Sequence, residues 1–253
     1  MHFIPRLLAL ALAAGALAGP AAAPASAQGF SEPQKEEIQR IIKEYLIAHP
    51  EVLQEAVSEL EKRQAAVEAG RAKEALSTHR DALFNSPRQV VLGDPQGQTT
   101  LVEFFDYNCS YCKRALDDML TLMKGDPKLR IVLKEFPVLG PGSVEAAQVA
   151  VAVRMQDKSG GKKYLEFHQK LLGNRGPVDK ARALAAAKDA GFDVARIEKD
   201  LQSPEVKATL EESMKLGEAL GINGTPSYVV GDTVVPGAVG VAQLKQQIEL
   251  ARK

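Results

Sequence analysis

The stretch that decides the fold reads Glu103-Phe104-Phe105-Asp106-Tyr107-Asn108-Cys109-Ser110-Tyr111-Cys112. Apolar and β-branched residues from 99 to 105 lead into it and predict a strand, which Asp106 and Asn108 end. Helix-forming residues follow from 113 to 123. The pattern therefore predicts a strand, a short loop and a helix, with both cysteines at the point where the helix begins.

The position of the two cysteines predicts thiol chemistry. A thiol at the start of a helix faces unpaired backbone N–H groups and the positive end of the helix dipole, and both favour the thiolate. We therefore expect Cys109 to be the reactive sulfur. Cys112 lies one helical turn further on, close enough to attack a mixed disulfide formed at Cys109 and to release it.

Other uses of this cysteine pair fit the sequence less well. A structural zinc site needs a second Cys or His pair, but the chain has only two cysteines and its four histidines stand singly, so we expect no metal site. A structural disulfide closing so short a loop would stabilise the fold little. No cofactor is expected beyond the disulfide that Cys109 and Cys112 can form. Two alternatives stay open: a soft-metal protein whose two thiolates hold Cu(I), and a non-catalytic oligomeric adaptor.

Two motifs carry a resemblance to a known family. The pattern Glu-Phe-Phe-x-x-x-Cys-x-x-Cys after a strand resembles the active-site segment of the thioredoxin superfamily, in the form found in its DsbA branch. Gly224-Thr225-Pro226, followed by Ser227-Tyr228-Val229-Val230, resembles the cis-proline loop that faces the dithiol in that superfamily. With its helical N-terminal region, the chain is most similar to the periplasmic suppressor of copper sensitivity protein C group, whose name implies a role in copper tolerance.

The resemblance also implies roles for single residues. Glu103 matches the buried acid that exchanges a proton with the second cysteine; an exposed edge position is the alternative, since a buried acid without a partner is costly. Thr225 and Pro226 are expected to form a cis peptide bond and to bind substrate backbone. Ser110 and Tyr111, between the cysteines, are expected to tune the thiols. Because neither is a histidine, we expect a less oxidising dithiol than in the strongly oxidising family members.

The beginning of the chain predicts export. Residues 1–27 have the features of a secretory signal peptide, with Arg6, an apolar run from 7 to 18, and small residues ending at Ala27. We expect cleavage near Ala27 and a periplasmic location, where a dithiol has disulfides to exchange. The 32 basic and 32 acidic residues balance, which gives no support for a nucleic-acid partner.

The next two segments are predicted to be helical. Residues 28–60 form a proposed oligomerisation region, interrupted at Pro50, and residues 61–84 a helical linker that is either solvated or hinged at Gly70. Short amphipathic helices bury too little apolar surface to be stable alone, so we expect this region to pack on other copies of itself. Packing against its own catalytic domain is the alternative. The resemblance implies a trimer. The apolar residues at helical spacing are Ile38, Ile41, Ile42, Tyr45, Leu46, Val52, Leu53, Ala56, Val57 and Leu60.

Residues 85–253 are predicted to form an α/β catalytic domain with a thioredoxin fold. Strands are expected at 89–92, 99–105 and 129–136, and a hairpin at 228–235. A helical insertion at about 140–221 separates the hairpin from the earlier strands. Sheet elements before and after the insertion are expected to belong to one domain.

These observations predict a thiol-disulfide exchange protein that works as an oligomeric disulfide isomerase. An isomerase must be kept reduced so that its thiolate can attack wrong disulfides, and oligomerisation suits it by shielding the dithiol from an oxidising partner. The expected partners are mis-bridged exported proteins and, by resemblance, a membrane thiol reductase that donates electrons. A DsbA-like oxidase is the alternative within the same class.

Overall fold

The computed structural model describes residues 29–252, so the predicted signal peptide lies outside the described residues. The chain divides into two compact units, the first ending at Ser58 and the second beginning at Glu59. Within residues 29–252, no helix has both the length and the apolar character that crossing a membrane requires.

The first unit is helical, as predicted. Helix α1 (Glu32–Ala48) begins at Ser31, whose backbone N–H donates to the side chain of Gln34 (2.9 Å) in a capping box. The chain breaks at Pro50, and helix α2 (Glu51–Thr78) follows. The apolar side chains of α1 are exposed, with Ile41 and Ile42 at 53% and 52%.

The predicted linker is helical but not solvated throughout. Helix α2 passes through Gly70 without a break, and residues 61–71 are exposed, so bending at Gly70 stays a prediction. Leu76, near the end of α2, and Leu83 in the short helix α3 (Arg80–Phe84) are buried in an apolar cluster of the second unit. The last part of the predicted linker therefore packs with the catalytic unit.

The second unit contains one five-stranded mixed sheet. Its strands are β1 (Val90–Gly93), β2 (Thr99–Phe105), β3 (Leu129–Glu135), β4 (Ser227–Val230) and β5 (Thr233–Pro236), in the order β1-β3-β2-β4-β5. Strands β2 and β3 are parallel and the other pairs are antiparallel. Helix α4 (Ser110–Gly125) connects β2 to β3 as a parallel crossover.

A block of five helices separates β3 from β4, as the predicted insertion requires. The helices are α5 (Pro141–Gln156), α6 (Lys162–Leu172), α7 (Lys180–Asp189), α8 (Val194–Asp200) and α9 (Pro204–Ala219). Asp179, Asp193 and Ser203 cap α7, α8 and α9, since each side chain accepts a hydrogen bond from a backbone N–H in the first turn. A last helix, α10 (Gly240–Ala251), follows β5.

The sheet has an apolar layer on each face. Alternation along β2 places Leu101 and Phe105 in the cluster that also contains both cysteines, and Val102 and Phe104 in the cluster with Leu83. Glu103 shares the face of Leu101 and Phe105, and it is only 3% exposed. The exposed-edge alternative for Glu103 is therefore wrong, because β2 is a central strand flanked by β3 and β4.

One charged side chain is buried on the opposite face of the sheet. Lys134 of β3 donates from Nζ to the carbonyl oxygen of Ala82 at 2.7 Å and lies 3.5 Å from a carboxylate oxygen of Glu212 in α9. Burial lowers the pKa of Lys134 to about 8, and Glu212 opposes that shift. Lys134 therefore links α3, β3 and α9 through partners that satisfy its buried charge.

Candidate active site

Helix α4 begins directly after Cys109, as the sequence predicts. Cys109 is its N-cap, with extended backbone angles, and its own N–H donates to the carbonyl oxygen of Asp106 at 3.1 Å. The sulfur of Cys109 accepts a hydrogen bond from the backbone N–H of Cys112 at 3.4 Å. The helix thus directs at this sulfur an N–H group of its first turn that has no carbonyl partner within the helix, and this arrangement favours a thiolate.

The predicted cis-proline loop faces this sulfur. The Thr225–Pro226 peptide bond is cis, and the sulfur of Cys109 lies 3.1 Å from the carbonyl oxygen of Thr225. Thr225 is half-buried and Pro226 is buried at the start of β4. Two segments 116 residues apart therefore meet at one thiol.

The two thiols have opposite acidities. The pKa of Cys109 is lowered to about 5, chiefly because the Cys112 thiol hydrogen-bonds to it; hydrogen bonds with Thr225 and with the backbone of Cys112 and Tyr111 add to this, while burial opposes it. The pKa of Cys112 is raised above its ordinary value, because its proton is shared with Cys109 and because Cys112 is fully buried. Cys109 is thus the more acidic of the two thiols, and Cys112 is the thiol that keeps its proton.

The acidity of Cys109 bears on how oxidising the dithiol is. A thiol pKa of about 5 lies between the values of about 3.5 in a strong oxidant of this superfamily and about 7 in thioredoxin. Because stabilising the thiolate stabilises the reduced protein, a lower pKa goes with a more oxidising disulfide. The less oxidising dithiol therefore stays a prediction, which a measured reduction potential would test.

Glu103 is a neutral acid at this site. Its pKa is raised from 4.5 to about 8, chiefly by burial, and the charges of Asp118 and Cys109 contribute to this shift. Its charge in turn contributes to the raised pKa of Cys112. Glu103 can therefore hold or accept a proton near neutral pH, within electrostatic reach of both sulfurs.

Ser110 and Tyr111 are exposed between the two cysteines. The Tyr111 side chain is 55% exposed, and the guanidinium carbon of Arg114 lies 4.5 Å from its ring centre. The contribution of Tyr111 to the acidity of Cys109 comes from its backbone, not from its ring. The predicted tuning by Tyr111 thus has a backbone component in the structure, and tuning by Ser110 stays a prediction.

Asp106 is a functional candidate that the sequence reasoning missed. Its carboxylate accepts hydrogen bonds from the backbone N–H groups of Asn108 (2.7 Å), Val138 (2.9 Å) and Leu139 (3.0 Å). It therefore joins the loop before the dithiol to the segment that enters the helical block. The only local signal was an aspartate that ends a buried strand, which is also typical of ordinary turns.

The structure also adds a buried polar cluster behind the dithiol. The Tyr107 hydroxyl lies 3.2 Å from the Tyr164 hydroxyl and 3.2 Å from Nδ1 of His168, and Tyr164 donates to Glu135 at 2.8 Å. Burial lowers the pKa of His168 to about 3, so its ring is neutral. His168 is thus a buried, neutral member of this cluster.

A fold with a thioredoxin-type sheet, an acidic thiol at a helix start and a facing cis-proline loop defines a thiol-disulfide oxidoreductase. The family model for the DSBA-like thioredoxin domain matches residues 100–249, and that for the copper resistance protein ScsC N-terminal domain matches residues 34–66. The chain belongs to the DsbA-like thioredoxin family.

Solved structures agree with this assignment. A thioredoxin-like oxidoreductase from Silicibacter pomeroyi DSS-3 is 45% identical, with a TM-score of 0.64, over 68% of this chain and 97% of that one. A linker-deletion variant of Proteus mirabilis ScsC, which also carries a point substitution, is 29% identical, with a TM-score of 0.66, over 90% of this chain and 99% of that one.

Curated relatives add two observations. Disulfide bond formation protein D of Bacillus subtilis (strain 168) is 26% identical over 184 residues, 67% of this chain and 81% of that protein. The chain spans about a quarter of the length of other curated relatives, such as the Na(+)/H(+) antiporter NhaA 1 of Mycobacterium sp. (strain KMS), 25% identical over 65% of this chain and 27% of the antiporter.

Glu103 should make stability depend on pH in a predictable direction. In the folded protein it keeps its proton up to about pH 8, whereas its ordinary pKa is 4.5. Between these values the folded chain binds more protons than the unfolded chain, so the free energy of unfolding falls as pH rises and then levels off. Denaturant unfolding of reduced wild type and Glu103→Gln across this range should show the advantage of wild type shrinking with pH. Parallel profiles would contradict the raised pKa of Glu103.

Proposed function

We propose that this protein is a periplasmic disulfide isomerase that acts as a homo-oligomer through Cys109 and Cys112. The observation that carries the proposal is the combination in one chain of an acidic thiol beside the cis-proline loop and an exposed apolar helix face in the ScsC-type N-terminal region. The first supplies thiol exchange, and the second supplies a surface for association. The proposal goes beyond the thiol-disulfide oxidoreductase activity of the family.

The first step is attack by the Cys109 thiolate on a wrong disulfide of an exported client protein. A sulfur–sulfur bond forms between Cys109 and one client cysteine, and the client disulfide breaks, releasing the other client sulfur as a thiolate. That thiolate, or another in the same client, can then attack a different pairing. When a client thiolate attacks the mixed disulfide at its client sulfur, a new client disulfide forms and the Cys109 thiolate is released, with no net oxidation or reduction.

Cys112 provides the escape from a mixed disulfide that fails to rearrange. Its thiolate attacks the sulfur of Cys109, the client leaves as a thiol, and a Cys109–Cys112 disulfide remains. The client is then reduced and the protein oxidised, so a dithiol donor must restore it. We infer that a membrane thiol reductase is this donor, which follows the resemblance to the ScsC group.

Glu103 is proposed to take the proton that Cys112 must lose. Cys112 is fully buried and its pKa is raised, so water has poor access to the thiol and an internal base is needed. Glu103 has a pKa of about 8, close to the range in which a general base works best at neutral pH. Once Cys109 is bonded to a client it carries no charge, which removes one of the charges that oppose ionisation of Glu103.

Thr225 and Pro226 are proposed to bind the client's backbone beside its cysteine. The Thr225 carbonyl oxygen is already 3.1 Å from the sulfur that will be bonded to the client. An extended client segment could therefore pair with the backbone of this loop while its cysteine reaches Cys109. Backbone pairing carries little sequence preference, which suits a protein with many clients.

Oligomerisation is proposed to occur through the apolar face of α1. Its large apolar side chains are exposed, in contrast to most of those of the catalytic unit, and an exposed apolar stripe of this kind is typical of an association surface. We propose a trimer on the resemblance to the ScsC group. The exposed side chains of this face are Ile38, Ile41, Ile42 and Tyr45.

A dithiol oxidase is the second candidate function. The observation that favours it is the match to a relative named disulfide bond formation protein D over 81% of that protein. An oxidase would use the Cys109–Cys112 disulfide as its starting state and would need no oligomer. Binding of Cu(I) by the two thiolates is a third candidate, which the match to the copper resistance protein ScsC N-terminal domain keeps open.

Replacing Glu103 by glutamine should slow resolution by Cys112 more than attack by Cys109, because only resolution requires proton removal from Cys112. The expected loss in the resolution rate is about 10²-fold, a typical contribution of a general base. Stopped-flow reaction of the reduced variant with a mixed-disulfide model peptide can separate the two rates. Equal resolution rates in wild type and variant would remove the role assigned to Glu103.

Replacing Ile41 by lysine should break the oligomer and remove isomerase activity. The Ile41 side chain is exposed in the single chain, so the substitution should leave the fold intact while placing a charge in the association surface. Ile47→Lys is the matched control, since it makes the same substitution at an exposed position on the opposite side of the same helix from the apolar stripe. Light scattering gives the mass, and reactivation of a scrambled-disulfide test protein gives the activity.

The expected result is that Ile41→Lys is smaller than wild type and inactive as an isomerase but still oxidises reduced thiols, while Ile47→Lys matches wild type. A monomeric Ile41→Lys variant with full isomerase activity would contradict the proposal, because oligomerisation would then have no part in isomerisation. A wild-type chain that only oxidises thiols would favour the oxidase.

A further inference from the structure

Two side chains flank the dithiol, and both bind the same loop of the helical block. Asn108 comes directly before Cys109, and Lys113 comes directly after Cys112. Apart from one contact of Asn108 with α5, their side-chain partners lie in residues 174–178, the segment between α6 and α7 that we call the bracket loop. The four residues from Cys109 to Cys112 are thus held from both ends by a segment more than 60 residues away.

Asn108 pairs with the bracket loop as a neighbouring strand would. Its Oδ1 accepts from the backbone N–H of Val178 at 2.6 Å, and its Nδ2 donates to the carbonyl oxygen of Val178 at 2.9 Å. Nδ2 also lies 3.1 Å from the hydroxyl oxygen of Ser143, in the first turn of α5. Both backbone groups of Val178 are satisfied by one side chain, so Asn108 has a structural partner that a smaller residue could not reproduce.

Lys113 fastens the other side of the dithiol. Its ammonium group donates to the carbonyl oxygens of Asn174 (2.9 Å) and Gly176 (3.0 Å). Burial lowers the pKa of Lys113, and the negative charge of Cys109 opposes that shift, so the two charges stabilise each other. Lys113 therefore contributes a cation near the thiolate as well as two anchoring hydrogen bonds.

The fit between the bracket loop and its neighbours is close. A Cβ atom added to Gly142 would lie 2.7 Å from the carbonyl oxygen of Val178 and 3.7 Å from Nδ2 of Asn108. A side chain at position 142 would thus push against the carbonyl oxygen that Asn108 binds. The absence of a side chain at this position leaves room for the Asn108–Val178 pairing.

We propose that Asn108 and Lys113 are positioning residues that hold Cys109 at the first turn of α4 by fastening both ends of the dithiol to the bracket loop. The inference rests on the proposed role of Cys109 as the nucleophile. Asp106 and Asn108 lie in an irregular loop, and such a segment has no ladder of backbone hydrogen bonds to fix it. The bracket supplies contacts that the loop lacks.

The consequence of the bracket is electronic as well as structural. The thiolate depends on short contacts from the N–H groups of α4 and from the Cys112 thiol, and these contacts lengthen if the loop moves. Freeing the loop should therefore raise the pKa of Cys109. It should also make the dithiol less oxidising, because the reduced form loses stabilisation.

The test is Asn108→Ala in the full mature chain, which removes the pairing without changing any charge. The rate of Cys109 alkylation is measured across pH, with the modified peptide identified by mass spectrometry. At a pH below the pKa of Cys109, the ratio of thiolate to thiol should be about tenfold lower than in wild type. The reduction potential should become more negative in the same variant. Asn108→Ser is the second variant, for use if the alanine variant folds poorly. The serine side chain is too short to reach both Val178 groups, so it should lower the ratio in the same direction.

Asn174→Ala is the matched control. The Asn174 side chain accepts a hydrogen bond from Arg182 and lies on the same loop, but only its backbone carbonyl binds Lys113. This variant should change the ratio by less than about twofold. An unchanged Cys109 ratio in folded Asn108→Ala and Asn108→Ser would overturn the proposal, and so would an equal shift in Asn174→Ala. If wild type has no isomerase activity, the proposed function is wrong, but this comparison of Cys109 acidity between variants still tests the role of the bracket loop.

Discussion

The hydrogen bonds that meet at the sulfur of Cys109 are the interaction on which the rest of this structure depends. The Cys112 N–H reaches this sulfur from the first turn of α4, and the Thr225 carbonyl oxygen faces it at 3.1 Å from the other side. The sheet makes both contacts possible, because β2 delivers the helix start and its neighbour β4 delivers the cis-proline loop. Any change that moves the end of β2 or the start of β4 therefore alters the contact distances at the Cys109 sulfur.

A second consequence of this arrangement is a division of roles between identical side chains. Cys109 and Cys112 are one helical turn apart, yet the pKa of Cys109 is lowered to about 5 and that of Cys112 is raised. The difference comes from position, since Cys109 receives the N–H groups and the shared proton stays on the buried Cys112. Glu103, buried beneath them in a central strand, is then the acid whose own pKa of about 8 allows proton exchange near neutral pH.

The sequence predicts the parts of this site that depend on local patterns. The strand from Thr99 to Phe105 and the helix start after Cys109 follow from an apolar run and the residues that end it, and both are confirmed. The caps at Asp193 and Ser203 are local in the same sense, since capping is a contact within one turn. The cis bond at Thr225–Pro226 is also confirmed, although it was reached through resemblance to a family and not through local pattern.

The parts that the sequence did not predict depend on contacts between distant segments. Asn108 reads as an ordinary loop residue, and its pairing with Val178 spans 70 residues. Lys113 reads as a solvated helix residue, yet it binds two carbonyl oxygens of the bracket loop. The burial of Leu76 and Leu83 likewise has no local signal, because weak apolar spacing in a charged helix does not show which tertiary surface covers it.

The central claim is that the fold makes Cys109 an acidic thiol and keeps Cys112 protonated. The most direct measurement is the rate of alkylation of the reduced mature chain across pH, with each modified cysteine identified by peptide mass. The account predicts that modification occurs at Cys109 with a midpoint at about pH 5, and that Cys112 stays unmodified until much higher pH. A Cys109 midpoint near the ordinary thiol value of about 8.5, or earlier modification of Cys112, would contradict it.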